Sequence, residues 1–398
     1  MHPAKEIYGT KSKKLSNKKI ILGVTGSIAA VETLKLARDL IRHGAEIIPV
    51  MTNSATKIIH PDVLWFATGK RPIVQLTGET EHVLYCGQKD HADIMLISPC
   101  SANTISKIAH GIGDTTVTIF AITAIGTGIP LIIVPAMHIS MYKNKIVKQN
   151  IEKCKKNGIN FIQPKIEKNK AKQADIDEIV SNVIRQIGNK TYSGKKILII
   201  GGPTSESIDD VRVITNRSSG KTAVSLALSA FYQNAKVNLW YGKNASVKPP
   251  QFIETKYFET SNGILKMANS TQLNKFDYIF VCAAISDYIP KKQKGKISSD
   301  KNKITIELKP TQKIISKIRK KASKPKIIGF KVEEKKDNLK QKSMKVLEGN
   351  NLDYIVGNTI QAFDRDINEI WVFNKKGKTF HKKGKKENIA NYILEIIK

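Results

Sequence analysis

An α/β protein of two Rossmann-like three-layer domains, each a mostly parallel sheet flanked by helices, is expected from three features of this 398-residue chain. The chain begins twice in the same way: a short apolar run ending in glycine and leading towards a helix occurs at residues 18–26 and again at 195–204. After each start, apolar runs of strand length alternate with segments of helical period, as in a parallel sheet covered on both faces. The length also exceeds what one core holds and suits domains of about 100 to 200 residues. Residues 1–190 are expected to form the first domain and 191–398 the second, with the polar, glycine-bearing stretch 188–195 as linker.

Residues 18–26 read Lys-Lys-Ile-Ile-Leu-Gly-Val-Thr-Gly, a strand and tight turn, and Ser27 opens a helical pattern through Arg42. Strand runs follow at 45–51, 93–98, 130–135 and 160–163, with helices at about 101–109, 140–155 and 175–187. The second start, Lys-Lys-Ile-Leu-Ile-Ile-Gly-Gly-Pro-Thr at 195–204, precedes a helix at about 218–233. Strand runs at 236–241, 277–283, 325–330, 353–357 and 370–374 and a closing helix near 385–397 complete this half. Ligands in open sheets of this kind bind beyond the carboxyl ends of the strands, so chemistry is sought in the loops there.

Composition narrows the function classes. Cys86, Cys100, Cys154 and Cys282 form no CxxC pair, which argues against a zinc ribbon or disulfide framework and suits a reducing compartment. The first 19 residues are polar and lysine-rich, and no run of about 18 apolar residues occurs, so a cytoplasmic protein with no membrane partner is expected. A net charge of +32 raises the question of nucleic acid. The excess is nearly all lysine, spread from Lys5 to Lys398, and aromatics make up only 7% of the chain. A solvated lysine surface accounts for it better than a nucleic-acid footprint, and no nucleic-acid partner is expected.

Two loops of the first half carry its chemistry. Gly23-Val24-Thr25-Gly26-Ser27-Ile28-Ala29-Ala30 joins strand to helix, and its small residues leave backbone N–H groups and the Ser27 hydroxyl to hold a phosphate. It is not GxGxxG, and a plain tight turn is the rival reading. Ser98-Pro99-Cys100-Ser101-Ala102-Asn103-Thr104-Ile105 again follows a strand and opens a helix, with Ser101 a candidate N-cap.

Together these loops resemble the flavoprotein family that includes phosphopantothenoylcysteine decarboxylase, with its GSIAA turn and PASANTIAK loop, here PCSANTISK. The resemblance implies FMN held by Gly26, Ser27, Ser101, Asn103 and Thr104. It implies a catalytic histidine after the third strand region, matched by His82, and a substrate loop Pro-x-Met-Asn-x-x-Met, matched by residues 135–141. Met137 and His138 would then contact substrate, His138 replacing an asparagine that holds a carboxylate, a task its imidazole N–H can also perform. The implied chemistry is oxidation of a cysteinyl thiol to a thioaldehyde, loss of carbon dioxide and return of the hydride by reduced flavin. The family's flap carries a proton-donating cysteine, whereas residues 159–175 contain none. Cys154 reads as a helix residue, and Cys86, four residues beyond His82, is the candidate to face the same pocket.

In the second half, residues 209–222 read Asp-Asp-Val-Arg-Val-Ile-Thr-Asn-Arg-Ser-Ser-Gly-Lys-Thr. A P-loop would need glycine five positions before Gly220, where Thr215 stands, so that reading is rejected. A cationic, hydroxyl-rich turn suited to phosphate remains. With Gly201-Gly202-Pro203-Thr204 and Cys282-Ala283-Ala284-Ile285-Ser286-Asp287-Tyr288, the stretch resembles phosphopantothenate–cysteine ligase over nearly all of 195–398. The resemblance implies that Asn216 steadies an acyl-nucleotide intermediate, Arg212 positions substrate or its own loop, and Lys296 neutralises triphosphate charge. It further implies that Ala283, Asp287 and Phe330 hold the nucleotide, with a phosphate contact from Lys342.

The two resemblances imply coenzyme A biosynthesis: CTP-dependent joining of cysteine to 4'-phosphopantothenate, then FMN-dependent decarboxylation to 4'-phosphopantetheine. ATP in place of CTP stays open. Magnesium is expected with the nucleotide, held by phosphates and water, with no metal ligands assigned. A homo-oligomer built from trimers and dimers, a dodecamer, is implied. One alternative keeps the ligase and makes the first half another flavin-dependent cysteine decarboxylase or a flavin-modifying enzyme. The other is a basic nucleic-acid-binding protein.

Overall fold

A computed structural model of the chain describes residues 2–87, 91–298, 303–360 and 366–398. The chain divides into two compact units, Met1–Gly188 and Asn189–Lys398. Both are α/β.

The strands of the first unit are β1 (Lys18–Val24), β2 (Ala45–Met51), β3 (Ile94–Cys100), β4 (Leu131–Pro135), β5 (Met137–His138), β6 (Asn160–Phe161), β7 (Lys165–Glu167) and β8 (Lys170–Lys172). Five of them form a parallel sheet in the order β2-β1-β3-β4-β6. Burial on both faces explains the unbroken apolar runs in β1 and β3, since alternation would put polar groups under the covering helices. Ile97 and Ile133 of the sheet pack with Ile105, Ile108, Phe120 and Ala124 of the helices Ala102–Ala109 and Thr116–Gly126. Each large side chain so withdrawn from water contributes roughly 1.5–3 kcal/mol. The order reverses between β1 and β3, which puts the loops after these two strands at the switch point where open sheets bind ligands.

Local capping redraws two expected helices. The pattern from Ser27 to Arg42 starts as a 3-10 turn, Ile28–Glu32, before the α-helix Thr33–Arg42. The segment expected as one helix over 140–155 is two, Ile139–Lys143 and Lys145–Lys156, because Asn144 Oδ1 accepts from the Ile146 and Val147 N–H groups and caps the second. Residues 165–172 fold as a hairpin, and its strand β8 pairs antiparallel with β5, placing Lys170 opposite His138 and Ala171 opposite Met137.

The second unit adds β9 (Lys196–Gly201), β10 (Ser205–Ser207), β11 (Val213–Thr215), β12 (Lys236–Gly242), β13 (Glu254–Phe258), β14 (Tyr278–Val281), β15 (Tyr288–Pro290), β16 (Leu308–Pro310), β17 (Lys326–Glu333), β18 (Tyr354–Thr359), β19 (Ile367–Asn374) and β20 (Thr379–Lys385). The sheet order is β13-β12-β9-β14-β17-β18-β19-β20, parallel as far as β18 and antiparallel beyond it. The short pairs β10–β11 and β15–β16 stand apart from it as antiparallel ribbons. The helix expected over 218–233 is Lys221–Tyr232. Part of the expected linker belongs to this unit's core: Tyr192 is buried, its ring meets Tyr278 edge-on at 5.4 Å, and its hydroxyl donates to the Leu394 carbonyl. No helix among the described residues is long and apolar enough to cross a membrane.

Candidate functional site

In the first unit, loops leaving β1, β3 and β4 are tied together by hydroxyl groups. Thr25, fully buried, donates from Oγ1 to the Pro99 carbonyl at 3.0 Å and accepts from the Ser101 N–H at 3.0 Å. Ser27 Oγ donates to the Ala136 carbonyl at 3.1 Å, so its single proton is engaged by the protein rather than free for a phosphate oxygen. The Ser27 hydroxyl thereby fastens the turn to the segment carrying Met137 and His138. Ser101 is the N-cap, accepting from the Thr104 N–H at 3.3 Å, and buried Thr104 shares a 3.2 Å hydroxyl contact with it. Thr104 is thereby part of the cap.

What stays open to an anion is the first turn of the helix Ala102–Ala109, where the Ala102 and Asn103 N–H groups lack intrahelical partners. The exposed Asn103 amide, without a hydrogen-bond partner among the described residues, lies beside them. Gly26 has no room for a side chain, since a Cβ there would lie 2.6 Å from Ser54 Cβ. The sequence reading missed Thr25, although a hydroxyl residue at the end of a buried strand, just before a glycine, was the signal.

His82 lies on the helix Glu81–Cys86, between β2 and β3 and thus before the third strand, not after it. Its ring meets Phe120 edge-on at 6.5 Å, and Nδ1 is buried with no partner among the described residues. An unmatched buried polar atom of this kind is costly unless something else satisfies it. Glu81 fixes this helix by accepting from the Thr77 N–H at 3.0 Å and hydroxyl at 2.7 Å, and those bonds hold its carboxyl below the usual range. His82 has no hydrogen bond or ring contact with Thr25, Ser27 or Ser101.

His138 is exposed and caps the helix Ile139–Lys143, its Nδ1 accepting from the Ser140 N–H at 3.3 Å. A neutral ring that accepts at Nδ1 carries its proton on Nε2, which leaves a donor for a carboxylate. Met137 beside it is half-buried against the core. Cys86 faces the core and not, as expected, a pocket with His82. Its thiol is fully buried, lies 3.7 Å from the Phe120 carbonyl, and is pushed by burial up to about 12. Cys154 is a core helix residue, its thiol 3.9 Å from the Ile105 carbonyl and raised by burial to about 11.

In the second unit, the loops after β9 and β14 are zipped together. The Thr204 N–H donates to the Ala284 carbonyl at 3.1 Å, the Ala284 N–H to the Gly202 carbonyl at 3.0 Å, and the Ser286 N–H to Thr204 Oγ1 at 2.9 Å. Asn216 joins them, its Nδ2 donating to the same Ala284 carbonyl at 3.1 Å. The Ser218-Ser219-Gly220 turn is held from below: buried Tyr241 donates to the Val247 carbonyl at 2.6 Å, and the Ser219 carbonyl lies 3.3 Å from the same hydroxyl. Gly220 sits at φ +77°, and a side chain there would overlap the Tyr241 ring and hydroxyl.

Arg212 turns inward. Its Nη1 meets Asp209 Oδ2 at 2.8 Å and the Ile297 carbonyl at 3.1 Å, so of its two expected roles the structure shows the loop-holding one. Lys296 is exposed and has no ion-pair partner among the described residues. Asp287 is exposed and paired with Lys313 at 2.7 Å. Because Val281, the last residue of β14, pairs with Gly329, Ala283 leaves the end of β14 close to Phe330, which lies within β17 and is half-buried against the core. Lys342 is drawn off to Glu333 at 2.6 Å, a carboxylate that also holds Lys331 at 3.0 Å. Lys342, expected to contact phosphate, has Glu333 as its counter-charge in this structure. The described residues contain no group of three or more His, Cys, Asp or Glu able to hold a metal.

Residues 8–188 match the Flavoprotein family model, and residues 192–398 match the DNA/pantothenate metabolism flavoprotein C-terminal domain. The chain is 44% identical over 389 residues to Coenzyme A biosynthesis bifunctional protein CoaBC of Thermococcus kodakarensis, covering 96% of this chain and 94% of the relative. It is 39% identical over 405 residues to the protein of the same name from Methanocaldococcus jannaschii, covering 100% of this chain and 98% of that one. A crystal structure of the C-terminal domain of a CoaBC protein aligns with 30% identity and a TM-score of 0.45, over 52% of this chain and 96% of that one.

Proposed function

The chain belongs to the family of coenzyme A biosynthesis bifunctional proteins, and from that premise we propose that its two units catalyse consecutive reactions on the phosphopantothenate skeleton. Residues 191–398 join cysteine to 4'-phosphopantothenate, and residues 1–190 decarboxylate the 4'-phosphopantothenoylcysteine so formed to 4'-phosphopantetheine.

In the ligase the substrate carboxylate attacks the α-phosphorus of CTP, pyrophosphate leaves, and the cysteine amine then displaces CMP from the acyl-nucleotide. Lys296 supplies a free positive charge for the triphosphate. Asn216, fixed by its bond to Ala284, presents the remaining N–H of its amide to the acyl-nucleotide. The nucleotide binds at Ala283, which follows β14, at Phe330, in β17 just beyond its pairing with β14, and at Asp287, which precedes β15. Magnesium enters with the nucleotide, on phosphate oxygens and water. The observation that carries this reading is the joint at Ala284, whose carbonyl gathers Thr204 and Asn216 from two separate motifs.

FMN is the flavin we assign to the first unit. The open N–H groups of Ala102 and Asn103, the Asn103 amide and the bare backbone of Gly26 fit its phosphate. Bound there, the flavin supplies two-electron oxidation and reduction of the substrate. His82 brings an unpartnered ring nitrogen to the reaction, and His138 offers Nε2–H to the substrate carboxylate. The hairpin over 165–172 carries lysines and no thiol, and this favours one second reading, another flavin-dependent cysteine decarboxylase in the first unit. A cytoplasmic homo-oligomer combining trimeric flavin units with dimeric ligase units, a dodecamer, completes the proposal.

The test is to supply the purified chain with 4'-phosphopantothenate, cysteine, magnesium and either CTP or ATP. Formation of phosphopantothenoylcysteine with CMP release, then of phosphopantetheine, is expected. A yellow, flavin-loaded protein that accumulates phosphopantothenoylcysteine without decarboxylating it overturns the first-unit assignment and favours the second reading.

A further inference from the structure

Segments 208–212 and 292–297 are fastened to each other at several points, the Gln293 N–H donating to the Ile208 carbonyl at 2.9 Å and Lys292 pairing with Asp210 at 2.7 Å, and next to Lys296 the joint is one buried carboxylate. Asp209 is withdrawn from water, and its Oδ1 accepts from the Val211 N–H at 2.8 Å and the Arg212 N–H at 2.6 Å. Its Oδ2 accepts from Arg212 Nη1 at 2.8 Å and, across the gap, from the Ile297 N–H at 3.1 Å. The same Arg212 Nη1 returns a bond to the Ile297 carbonyl at 3.1 Å. Beside this joint, the Asp210 N–H donates to the Gly295 carbonyl at 3.2 Å and the Gly295 N–H to Asp210 Oδ2 at 3.0 Å. Lys296 therefore has both chain neighbours pinned, while its own side chain has no partner among the described residues. Arg212 leads directly into β11 and Asn216, which is pinned at Ala284.

We propose that Asp209 is a positioning residue for the ligase reaction: its buried carboxylate fixes the separation between Lys296 and Asn216 by joining the segments that carry them. The proposal rests on the roles given above to those two residues. Four donors converge on one carboxylate, so the joint is charge-assisted and rigid. The neutral isostere cannot replace it, because an asparagine side chain at this position would turn its NH2 either towards the Val211 and Arg212 N–H groups or towards Arg212 Nη1 and the Ile297 N–H, donor against donor.

The full chain supplies its own folding control, because decarboxylation of added phosphopantothenoylcysteine is read in the same sample. For Asp209→Asn, the ligation kcat is expected to fall about 100-fold, the scale on which roughly 1 Å of misplacement acts, with KM for CTP changed less than about threefold. Decarboxylation stays at the level of the unmodified chain. Combined with Lys296→Ala, Asp209→Asn adds less than about threefold to the loss from Lys296→Ala alone, since both remove one contribution. Hydrogen exchange at the Ile297 amide needs no turnover, so it judges the joint separately from the ligase reading. In Asp209→Asn it is expected to accelerate by about 100-fold or more while β17 stays protected. Unchanged exchange at Ile297, losses that multiply in the double variant, or a raised KM with kcat retained would each overturn the proposal.

Discussion

Thr25 and Ser101 are joined by a 3.0 Å hydrogen bond from the Ser101 N–H to a hydroxyl fully shielded from solvent, so the end of one strand sets the start of the next loop. Thr25→Val keeps the shape, leaves the Ser101 N–H without its acceptor and leaves the Pro99 carbonyl with the Thr25 N–H alone. It is expected to cost about 1–3 kcal/mol in the first unit. Flavin affinity should fall at least tenfold, read by fluorescence titration, and Thr25→Ser should recover most of it.

Gly220→Ala tests the turn before the helix Lys221–Tyr232. The residue has φ +77°, and the added methyl overlaps the Tyr241 hydroxyl, so both strain and collision displace the turn. Ligation is expected to drop about 100-fold or more while decarboxylation by the same chain persists. Equal loss of both activities would mean that the damage is not confined to this turn.

Two lysines that look alike in sequence should behave differently. Lys342→Ala removes an ammonium already held by Glu333 at 2.6 Å and is expected to change ligation less than about threefold. Lys296→Ala removes a charge that has no ion-pair partner among the described residues and should lower kcat by about 10²–10³, measured by CMP release at saturating CTP.

The thiols are predicted to be inert in the native protein. Burial raises Cys86 to about 12, Cys154 to about 11 and Cys282 to about 12, and pushes Cys100 well above its ordinary value. At pH 8, about one Cys154 in a thousand carries the reactive thiolate. Iodoacetamide should label the folded chain slowly and all four residues once it is denatured. Cys86→Ala is expected to cost about 1 kcal/mol and leave decarboxylation within twofold.

Asp209 also makes the second unit acid-sensitive in a predictable direction. The Arg212 N–H, followed by the Ile297 and Val211 N–H groups and the Arg212 charge, hold its carboxyl at about 2, against 3.8 ordinarily. Since the folded value is the lower one, its stabilisation is complete above pH 3.8 and disappears as the pH falls through about 2. Melting temperatures of the unmodified chain and of Asp209→Asn should therefore converge between pH 4 and 2, and a constant gap would contradict this account.

The parallel core strands were legible because burial on both faces writes itself as uninterrupted apolar runs, as in β1 and β3. The hairpin over 165–172 was not, since three-residue strands rich in lysine carry no such run and are specified by pairing with Met137 and His138. The same contrast holds for the sites. Asn216, Gly220 and Lys296 stood out through their motifs, whereas Thr25, Asp209 and Tyr241 each have a partner distant in sequence, Pro99, Ile297 and Ser219. The pairing of Lys342 was not legible either, because its partner, Glu333, is nine residues away and belongs to another element.

Tyr192 fills the second unit's core, beside Tyr278 and beneath Leu394, only four positions after Gly188 closes the first unit. Dividing the gene into two separately made polypeptides thus has a narrow admissible cut, before Tyr192. A second polypeptide begun at Lys196 would lack that ring and leave a cavity, at a cost of about 3–5 kcal/mol. The boundary between the activities is in this way part of one of them.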